Sequence, residues 1–400
     1  MPQDTLFSNG GTLIQRAIRE SDGQAVILKS LIAAYPKPAQ LSRFSFAYEV
    51  LNKFDHPNII KVLDYLERDN SPVLVLEDTH GIDLREYAQQ KADKRLPLKT
   101  FLNIAIQLAE ALTVIHHAHV IHKDLHPGNM IINPESQKVQ IIDFGLASIL
   151  TREQPSLSAP DKLEGILAYI SPEQTGRMNR ALDYRSDFYT LGVTFYELLS
   201  GQLPFAAEDA LGMVHAHIAK DHKALIKVRK DIPEVVSRII DKLLNKVAEQ
   251  RYQSAQGLKQ DLETCLQALK KKQDLKNFKL GKEDISERFQ VPQKLYGRQT
   301  EINRLLEHFN KVADGTPQLL SICGYSGVGK SALMQEVHKP IAAHNGVFLS
   351  GKFDQFQRNI PYSAFHQILK SWLLKMLSLS ENSLQRQRVR INNTLGVNAR

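Results

Sequence analysis

The stretch His122-Lys123-Asp124-Leu125-His126-Pro127-Gly128-Asn129 carries an aspartate and an asparagine five residues apart in a predicted loop. Two strand-like segments follow, at 129–133 and 138–144, and the turn Pro134-Glu135-Ser136-Gln137 joins them into a predicted hairpin. The second segment ends in Asp143-Phe144-Gly145. The hairpin therefore returns a second carboxylate to the side of the first loop.

These side chains suit phosphoryl transfer. A carboxylate at Asp124 can orient and deprotonate an incoming hydroxyl group, while Asn129 and Asp143 can hold Mg²⁺ on the phosphates of ATP. Each short motif is common by chance, but their order, spacing and surrounding elements together are not. The sequence predicts Asp124 as a catalytic base, and Asn129 and Asp143 as metal ligands that contribute to ATP binding.

A lysine and a glutamate upstream extend this set. Lys29 ends the strand-like run Val26-Ile27-Leu28-Lys29, and Glu49 lies on the helical stretch 41–54 that follows. A buried lysine needs a carboxylate partner to stay charged and to point at phosphate oxygens. We therefore expect Lys29 to be a catalytic, ATP-binding residue and Glu49 to be its partner, although such a pair is also common in purely structural settings.

The remaining pattern divides the chain into a small β-rich part and a larger α-rich part. Residues 25–31 and 72–78 resemble strands, 97–118 a long buried helix, and the pattern is helical from about residue 187 to 268. Residues 270–293 are charged, aperiodic and poor in large apolar side chains, which is typical of a linker. The predicted fold class is α+β.

Together, these motifs resemble those of protein kinases over roughly residues 1–268. The resemblance implies a two-lobed kinase fold, in which Leu76-Glu77-Asp78 falls at the gatekeeper and hinge and Ser171-Pro172-Glu173 at the end of the activation segment. It also implies that Arg251 pairs with Glu173 and that Asp187 braces the catalytic loop. The residues expected to contact ATP in this cleft are Ile14, Lys29, Glu49, Glu77, Asn129 and Asp143.

The sequence departs from the kinase pattern in three respects. The glycines of the family's phosphate-binding loop align with Phe7, Asn9 and Thr12, so side chains stand where glycine would let the backbone approach phosphates. His126 replaces the lysine that usually follows the catalytic aspartate of serine/threonine kinases, and Ile166 replaces the threonine that would meet that lysine. These changes bear on residue preference and rate more than on binding of ATP with its metal.

A second nucleotide motif lies at Gly324-Tyr325-Ser326-Gly327-Val328-Gly329-Lys330-Ser331, which matches the P-loop pattern G-x-x-x-x-G-K-[ST]. It follows the strand-like residues 319–323 and precedes a predicted helix. Backbone N–H groups of such a loop cradle phosphates, the lysine reaches the terminal ones, and the serine binds Mg²⁺. The predicted ATP contacts are Gly324, Gly327, Gly329, Lys330 and Ser331, with Ser331 as the metal ligand.

The arrangement of both parts resembles bacterial multi-domain signalling proteins, which join a serine/threonine-kinase-like domain to an AAA-type ATPase domain. It implies a kinase domain at 1–268, a charged linker at 269–293 and the first part of a P-loop ATPase domain at 294–400. We find no apolar strand ending in the acidic residues that would activate water. We therefore expect an incomplete α/β P-loop domain that does not hydrolyse ATP by itself.

Charge, hydropathy and cysteine content exclude other classes. The net charge of +8 divides into about −3 for residues 1–268 and about +11 for the remainder, so it does not indicate a nucleic-acid-binding protein. No apolar run approaches the roughly 18 residues of a membrane span, and the N-terminus does not resemble a signal peptide. Two cysteines exclude a disulfide framework. We expect a cytoplasmic protein.

Three functions remain open from the sequence. The first is an active kinase that transfers the γ-phosphate of ATP to a serine or threonine hydroxyl of a protein in bacterial signalling. The second, favoured by the three departures, is a regulatory module of kinase fold that binds nucleotide and is coupled to a signalling ATPase. The third is phosphotransfer to a small molecule, against which the protein-kinase-like segment 171–205 weighs. The retained charged groups favour the first.

Overall fold

The computed structural model describes most of the kinase-like region and parts of the remaining chain. The described residues are 2–9, 11–33, 35–68, 71–149, 166–176, 182–207, 209–275, 278–285, 297–325, 328–337, 340–341, 348–351, 353, 362–377 and a few single positions beyond them.

The N-terminal part is an antiparallel sheet of five strands in the order β1-β2-β3-β5-β4. In the register of this sheet, Ile14 lies opposite Lys29 and Lys29 opposite Leu74, which places their side chains on one face. The other face carries a small core of its own, built on Ala17 and Val26. The strands are β1 (Pro2–Asn9), β2 (Thr12–Ile18), β3 (Ala25–Leu31), β4 (Val62–Arg68) and β5 (Ser71–Glu77).

One helix, α1 (Pro38–Leu51), packs against this sheet. Its buried residues are Phe44, Ala47, Val50 and Leu51, whose spacing of three and four residues defines one helical face. This face joins the main hydrophobic core of the molecule. Residues between these positions point elsewhere on the helix.

The larger part is mainly helical, as the sequence predicts. Helix α3 runs through its centre, and Leu108, Leu112 and Ile115 on it are fully buried. Short strands flank the predicted loop motifs in a three-stranded sheet β6-β8-β9 and a two-stranded sheet β7-β10. These strands are β6 (Ile82–Asp83), β7 (Val120–Ile121), β8 (Met130–Ile132), β9 (Val139–Ile141) and β10 (Ser148–Ile149). The helices are α2 (Leu84–Gln89), α3 (Leu98–His117), α4 (Arg185–Ser200), α5 (Ala210–Ala219), α6 (Leu225–Val228), α7 (Glu234–Leu243) and α8 (Ala255–Lys271).

Among the described residues, one segment, Ala92–His117, has the length and composition of a membrane span. This segment contains α3, whose apolar side chains pack into the core of the helical part. The interior position of α3 accounts for its hydropathy.

The segment after α8 differs from the linker that the sequence predicts. Helix α8 continues through residue 268 to Lys271, and Leu275, Phe278 and Leu280 pack against the main core. The Asp284 carboxylate, 4% exposed, lies 3.0 Å from Lys242 and accepts hydrogen bonds from the backbone N–H groups of residues 253 and 254. Scattered apolar side chains and one buried carboxylate therefore anchor this segment to the helical part, in the first part of the stretch that the sequence predicts as a linker. The division into domains stays a prediction.

The last part of the chain contributes three described helices: α9 (Gln299–Ala313), α10 (Lys330–Gln335) and α11 (Ser363–Leu377). The strand predicted at 319–323 is not formed, and these residues are irregular. Helix α10 starts at the P-loop lysine after Gly329, whose φ of 93° lies in the left-handed region that favours glycine.

Candidate active site

Asp124 and Asn129 contact each other at the centre of the predicted catalytic loop. The Asn129 amide Nδ2 donates to the Asp124 carboxylate Oδ2 at 3.1 Å and to the Asp124 backbone carbonyl at 2.9 Å. Residues Pro127–Asn129 form a short 3₁₀ turn that leads into β8, so the asparagine is held at the start of a strand. Both side chains are therefore fixed by local structure rather than free to rotate.

A buried aspartate holds the start of this loop, as predicted. Asp187, in the first turn of α4 and fully buried, accepts hydrogen bonds from the N–H groups of His122 at 2.9 Å and Lys123 at 2.8 Å. Its Oδ2 also lies 2.9 Å from Nε2 of His116, a partner that the sequence motif did not indicate. These bonds stabilise the left-handed φ of 70° at Lys123, which a lysine adopts rarely.

The third predicted residue, Asp143, lies across from this loop and pairs with Lys29. The Lys29 Nζ is 2.8 Å from Asp143 Oδ2, and the backbone N–H of Gly145 donates to Asp143 Oδ1 at 3.1 Å. Asp143 has a left-handed φ of 61°, which turns its side chain at the end of the hairpin. The following Phe144 is fully buried, with its ring 4.7 Å from that of His122. The structure thus brings Lys29, Asp124, Asn129 and Asp143 to one cleft.

The two carboxyl groups of this cleft are held in the ionised form. Burial by itself raises the pKa of Asp124, but the neighbouring imidazole of His126 outweighs burial and the pKa is lowered. Burial also opposes ionisation of Asp143, and the ammonium group of Lys29 lowers its pKa below the usual range. Both groups are therefore anionic at neutral pH.

Glu49 does not occupy the predicted position. No ion pair joins it to Lys29, although the structure describes both side chains; its carboxylate is 57% exposed and lies 3.9 Å from Lys53 on the same helix. The helix face towards Lys29 carries Phe44, whose ring centre is 5.8 Å from the Lys29 ammonium. Glu49 is five residues from Phe44 and two from the buried Ala47, so helical geometry turns it away from the sheet. The predicted pair is wrong in this structure.

Ile14 and Glu77 are positioned by the sheet. Ile14 faces the cleft beside Lys29, since the two lie directly opposite each other on neighbouring strands. Glu77 ends β5, and its carboxylate Oε1 accepts from the Lys61 N–H at 3.0 Å and from Gln140 Nε2 at 2.7 Å. The Glu77 side chain therefore ties the hinge to its neighbours, and its backbone N–H donates to the Lys61 carbonyl at 3.0 Å.

The end of the activation segment is anchored by the predicted ion pair. The Arg251 guanidinium contacts the Glu173 carboxylate through both terminal nitrogens, at 2.5 and 2.9 Å, and both side chains are buried. Ser186 Oγ donates to the same carboxylate at 2.7 Å. Burial opposes ionisation, but the charge and hydrogen bonds of Arg251 prevail and lower the pKa of Glu173 to about 2.

His126 lies against the catalytic base. Its Nδ1 accepts from the Gly128 N–H at 3.1 Å, so Nε2 carries the proton, and Nε2 lies 3.6 Å from Asp124 Oδ2. Its ring centre is 5.6 Å from that of Tyr169. Ile166 is 43% exposed in the same segment. An aromatic contact at Tyr169 thus stands where the kinase pattern has a lysine–threonine contact.

The P-loop is described in part. Lys330 Nζ donates to the carbonyls of Gly324 at 2.7 Å and Tyr325 at 2.8 Å, so the lysine folds over the loop. Gly324 has a φ of 157°, close to the limit of the left-handed range. Gly327 and the side chain of Ser331 lie outside the described residues, so their predicted contacts stay predictions.

The donor chemistry of the cleft fits Mg²⁺. Among the described residues, no three His, Cys, Asp or Glu side chains form a metal site of their own. Mg²⁺ in phosphoryl-transfer sites takes one or two protein oxygens together with phosphate oxygens and water. The Asp143 carboxylate can supply such an oxygen ligand. Asn129 can supply another, because its Nδ2 is hydrogen-bonded to Asp124 and its amide oxygen is the remaining group.

Comparison with known proteins assigns both parts of the chain. The family model for the protein kinase domain matches residues 9–262, and the model for the AAA ATPase domain matches residues 294–399.

Individual relatives agree with this assignment. Hybrid signal transduction histidine kinase G of Dictyostelium discoideum is 32% identical over 76% of this chain and 11% of its own length. Serine/threonine-protein kinase pkn3 of Myxococcus xanthus is 31% identical over 65% of this chain and 49% of its own. Serine/threonine-protein kinase PrkC of Bacillus subtilis is 29% identical over 57% of this chain and 34% of its own.

The chain thus spans between about a tenth and a half of the relatives it matches. Both matched families bind ATP, so ATP binding follows for this chain. The kinase model covers more than half of the sequence and coincides with the cleft formed by Lys29, Asp124, Asn129 and Asp143. The chain belongs to the protein kinase family and carries an AAA ATPase domain after its kinase domain.

Proposed function

We propose that this chain is a catalytically active protein kinase that transfers the γ-phosphate of ATP to serine or threonine hydroxyls. The observation that carries the proposal is the convergence of Lys29, Asp124, Asn129 and Asp143 in one cleft, with the two carboxylates ionised. The bacterial relatives named as serine/threonine kinases support the residue preference. We also propose a cytoplasmic location and a protein substrate.

In this proposal Asp124 accepts the proton of the substrate hydroxyl. Its lowered pKa keeps it in the basic form, and the hydrogen bond from Asn129 fixes the orientation of its carboxylate. His126 Nε2 faces the same carboxylate and adds a donor beside it. Positioning of this kind is the main contribution that a protein makes to phosphoryl transfer.

Lys29 supplies positive charge for the phosphates. It is 14% exposed and held by Asp143 rather than by a helix carboxylate, so α1 does not control its orientation through an ion pair. Asn129 and Asp143 would hold Mg²⁺, which in such sites neutralises charge on the phosphate oxygens. We propose a second ATP site at the P-loop, where Lys330 is the phosphate contact.

Incorporation of labelled phosphate from ATP tests the proposal. We expect Asp124→Asn to lower phosphorylation of the chain itself or of a general protein acceptor by about 10²- to 10⁴-fold, the contribution of a general base. Phosphosite mapping by mass spectrometry then identifies serine, threonine or other acceptors. Measurement in a Lys330→Ala background prevents ATP turnover at the P-loop from being counted as kinase activity.

A regulatory nucleotide-binding module is the second candidate function. It is favoured by the exposed position of Glu49 and by the substituted phosphate-binding loop. This candidate predicts ATP binding without phosphate transfer, and equal nucleotide affinity in wild type and Asp124→Asn. Phosphorylation that Asp124→Asn abolishes would exclude it.

A further inference from the structure

An ion pair joins the second strand of the sheet to the hinge. Arg16 on β2 contacts Asp78, the residue after β5, through Nε to Oδ2 at 2.5 Å and through Nη2 to Oδ1 at 3.5 Å. The Asp78 side chain is 3% exposed and that of Arg16 29% exposed, so the contact is largely shielded from water. The N–H of His80 also donates to Asp78, at 2.8 Å. Two nitrogens of the guanidinium thus face the two oxygens of the carboxylate, an arrangement that an arginine allows and a lysine does not.

The register of the sheet places Arg16 on the cleft side. Arg16 is two residues from Ile14, and it lies opposite Ile27, which is two residues from Lys29. Side chains two apart on a strand share a face, and Lys29 on this face reaches Asp143 in the cleft. Ile27 in turn lies opposite Leu76 at the end of β5. Arg16 therefore lies over the hinge end of the cleft, next to the row that contains Lys29.

This location matters because the neighbouring hairpin β1–β2 has its glycines, Gly10 and Gly11, at positions other than those of the kinase pattern. Phe7 lies opposite Ile14 across β1 and β2 and is 51% exposed, so a bulky side chain stands where the kinase pattern has a glycine. Backbone contacts to phosphates are correspondingly restricted at Phe7. The ion pair between Arg16 on β2 and Asp78 at the hinge can fix the position of β2 over the cleft without a contact between the β1–β2 hairpin and the phosphates.

We propose that the Arg16–Asp78 pair is a positioning device that holds β2 over the nucleoside and sets the affinity of the cleft for adenine nucleotides. The proposal rests on the proposed function in that ATP occupies this cleft. Arg16 acts through the strand that carries Ile14, so it affects binding of the nucleoside and leaves the transfer step at Asp124 unchanged.

Nucleotide titration by calorimetry tests this in a Lys330→Ala background, which removes binding at the P-loop. We expect Arg16→Ala and Asp78→Ala each to weaken ATP binding by about tenfold, and the double variant to be no weaker than either single variant. Adenosine should lose affinity by the same factor as ATP, since the effect is on the nucleoside. Arg16→Lys should restore part of the affinity, because it keeps the charge but not the two-point contact.

Arg19→Ala is the matched control. Arg19 pairs with Asp22 in the turn between β2 and β3, and these two side chains are more exposed than those of Arg16 and Asp78, respectively. This variant should bind ATP as the parent does. Where phosphorylation is measurable, Arg16→Ala should raise KM for ATP about tenfold with kcat within twofold of the parent.

The outcomes separate this proposal from the proposed function. Unchanged affinity in Arg16→Ala, additive losses in the double variant, or weakened ATP with unaffected adenosine would each overturn the positioning role. Absence of phosphate transfer would overturn the proposed function while leaving the binding measurements valid. If Arg16→Ala does not fold, Arg16→Lys and Arg16→Gln carry the same comparison, with the glutamine variant expected to bind more weakly than the lysine variant.

Discussion

Replacing Asp284 by alanine should destabilise the kinase domain, although this residue lies in a charged segment after the last helix of that domain. Its carboxylate is buried and accepts from the N–H groups of Gln253 and Ser254 and from Ser254 Oγ, at 2.9 to 3.1 Å. Ser254 is the N-terminal cap of α8, and Lys242 on α7 completes the site at 3.0 Å. Asp284 therefore links α7, the start of α8 and the segment after α8.

The size of the effect follows from these contacts. Hydrogen bonds to charged groups contribute about 1.5–3 kcal/mol each, but these contributions are not additive. Removal of the carboxylate also removes the free-energy cost of taking it out of water, which reduces the net loss. The variant leaves the Gln253 N–H and the Lys242 ammonium without this acceptor in a partly buried site. We expect a loss of about 2–4 kcal/mol in the free energy of unfolding. For a domain of this size that corresponds to a decrease of about 5–10 °C in Tm.

Thermal unfolding of the full chain, followed by circular dichroism, measures this effect. Glu283→Ala is the control, because it removes the same charge from the neighbouring, exposed residue and should leave Tm within about 1 °C. Asp284→Asn should fall between the two, since an amide oxygen accepts a hydrogen bond but does not pair with Lys242. Equal Tm values for Asp284→Ala and Glu283→Ala would refute the anchoring of this segment and restore its interpretation as a linker.

Three further predictions concern buried groups. Arg251→Ala should lower the free energy of unfolding, measured by urea titration, by about 3–5 kcal/mol, because it leaves Glu173 charged and buried. The control Arg95→Ala, at the more exposed pair with Asp93, should change this free energy by less than about 0.5 kcal/mol. The pKa of Glu173 is about 2 in the folded state, against a usual value of 4.5, so the ionised carboxylate stabilises the fold fully above pH 4.5 and loses this effect towards pH 2. The urea midpoint of Glu173→Gln should therefore change less between pH 4.5 and pH 2 than that of the parent protein. Parallel pH profiles of the two proteins would contradict this prediction. Burial raises the pKa of Cys265 to about 12, so a thiol reagent at pH 8 should label exposed Cys323 rapidly and Cys265 only after unfolding; rapid labelling of both would contradict the structure.

The residues that sequence analysis located correctly lie on short, constrained loops. Asp124 and Asn129 are separated by one 3₁₀ turn, and Asp143 follows a hairpin whose length the turn at 134–137 sets. Few backbone paths connect such closely spaced elements, so spacing along the sequence nearly determines spacing in the structure. For this reason the motif alone was sufficient to predict the cleft.

Glu49 shows where that logic fails. Each residue along a helix is rotated by about 100° from the one before it. Glu49, two residues after the buried Ala47, therefore lies on nearly the opposite side of α1. The apolar spacing of Phe44, Ala47 and Leu51 already defines the inward face and excludes Glu49 from it. The charge pattern alone suggested the pair, whereas the helical phase would have rejected it.

The segment 269–284 was predicted as a linker for a different reason. Its apolar residues Leu275, Phe278 and Leu280 follow neither a helical nor a strand period, and the partners of Asp284 are 30 and 31 residues away. Local pattern analysis detects regular elements and cannot detect an irregular segment that is held by distant contacts. Only the folded chain reveals that these residues contact the helical part.

The departures from the kinase pattern fall on both sides of the cleft, and what each side retains bears on the choice between the two candidate functions. The side that activates the hydroxyl carries His126 and Ile166 in place of a lysine and a threonine. It nevertheless keeps its charged groups and their supports: Asp187 holds the loop, Asn129 orients Asp124, and Arg251 anchors Glu173. The changes at the phosphate-binding hairpin and at Glu49 fall on the side that contacts the nucleotide. A module without catalytic function could lose Asp124 and Asn129 without losing its fold. The retention of these groups therefore favours an enzyme, and the changes at the phosphate-binding hairpin and at Glu49 predict a high KM for ATP as its kinetic signature.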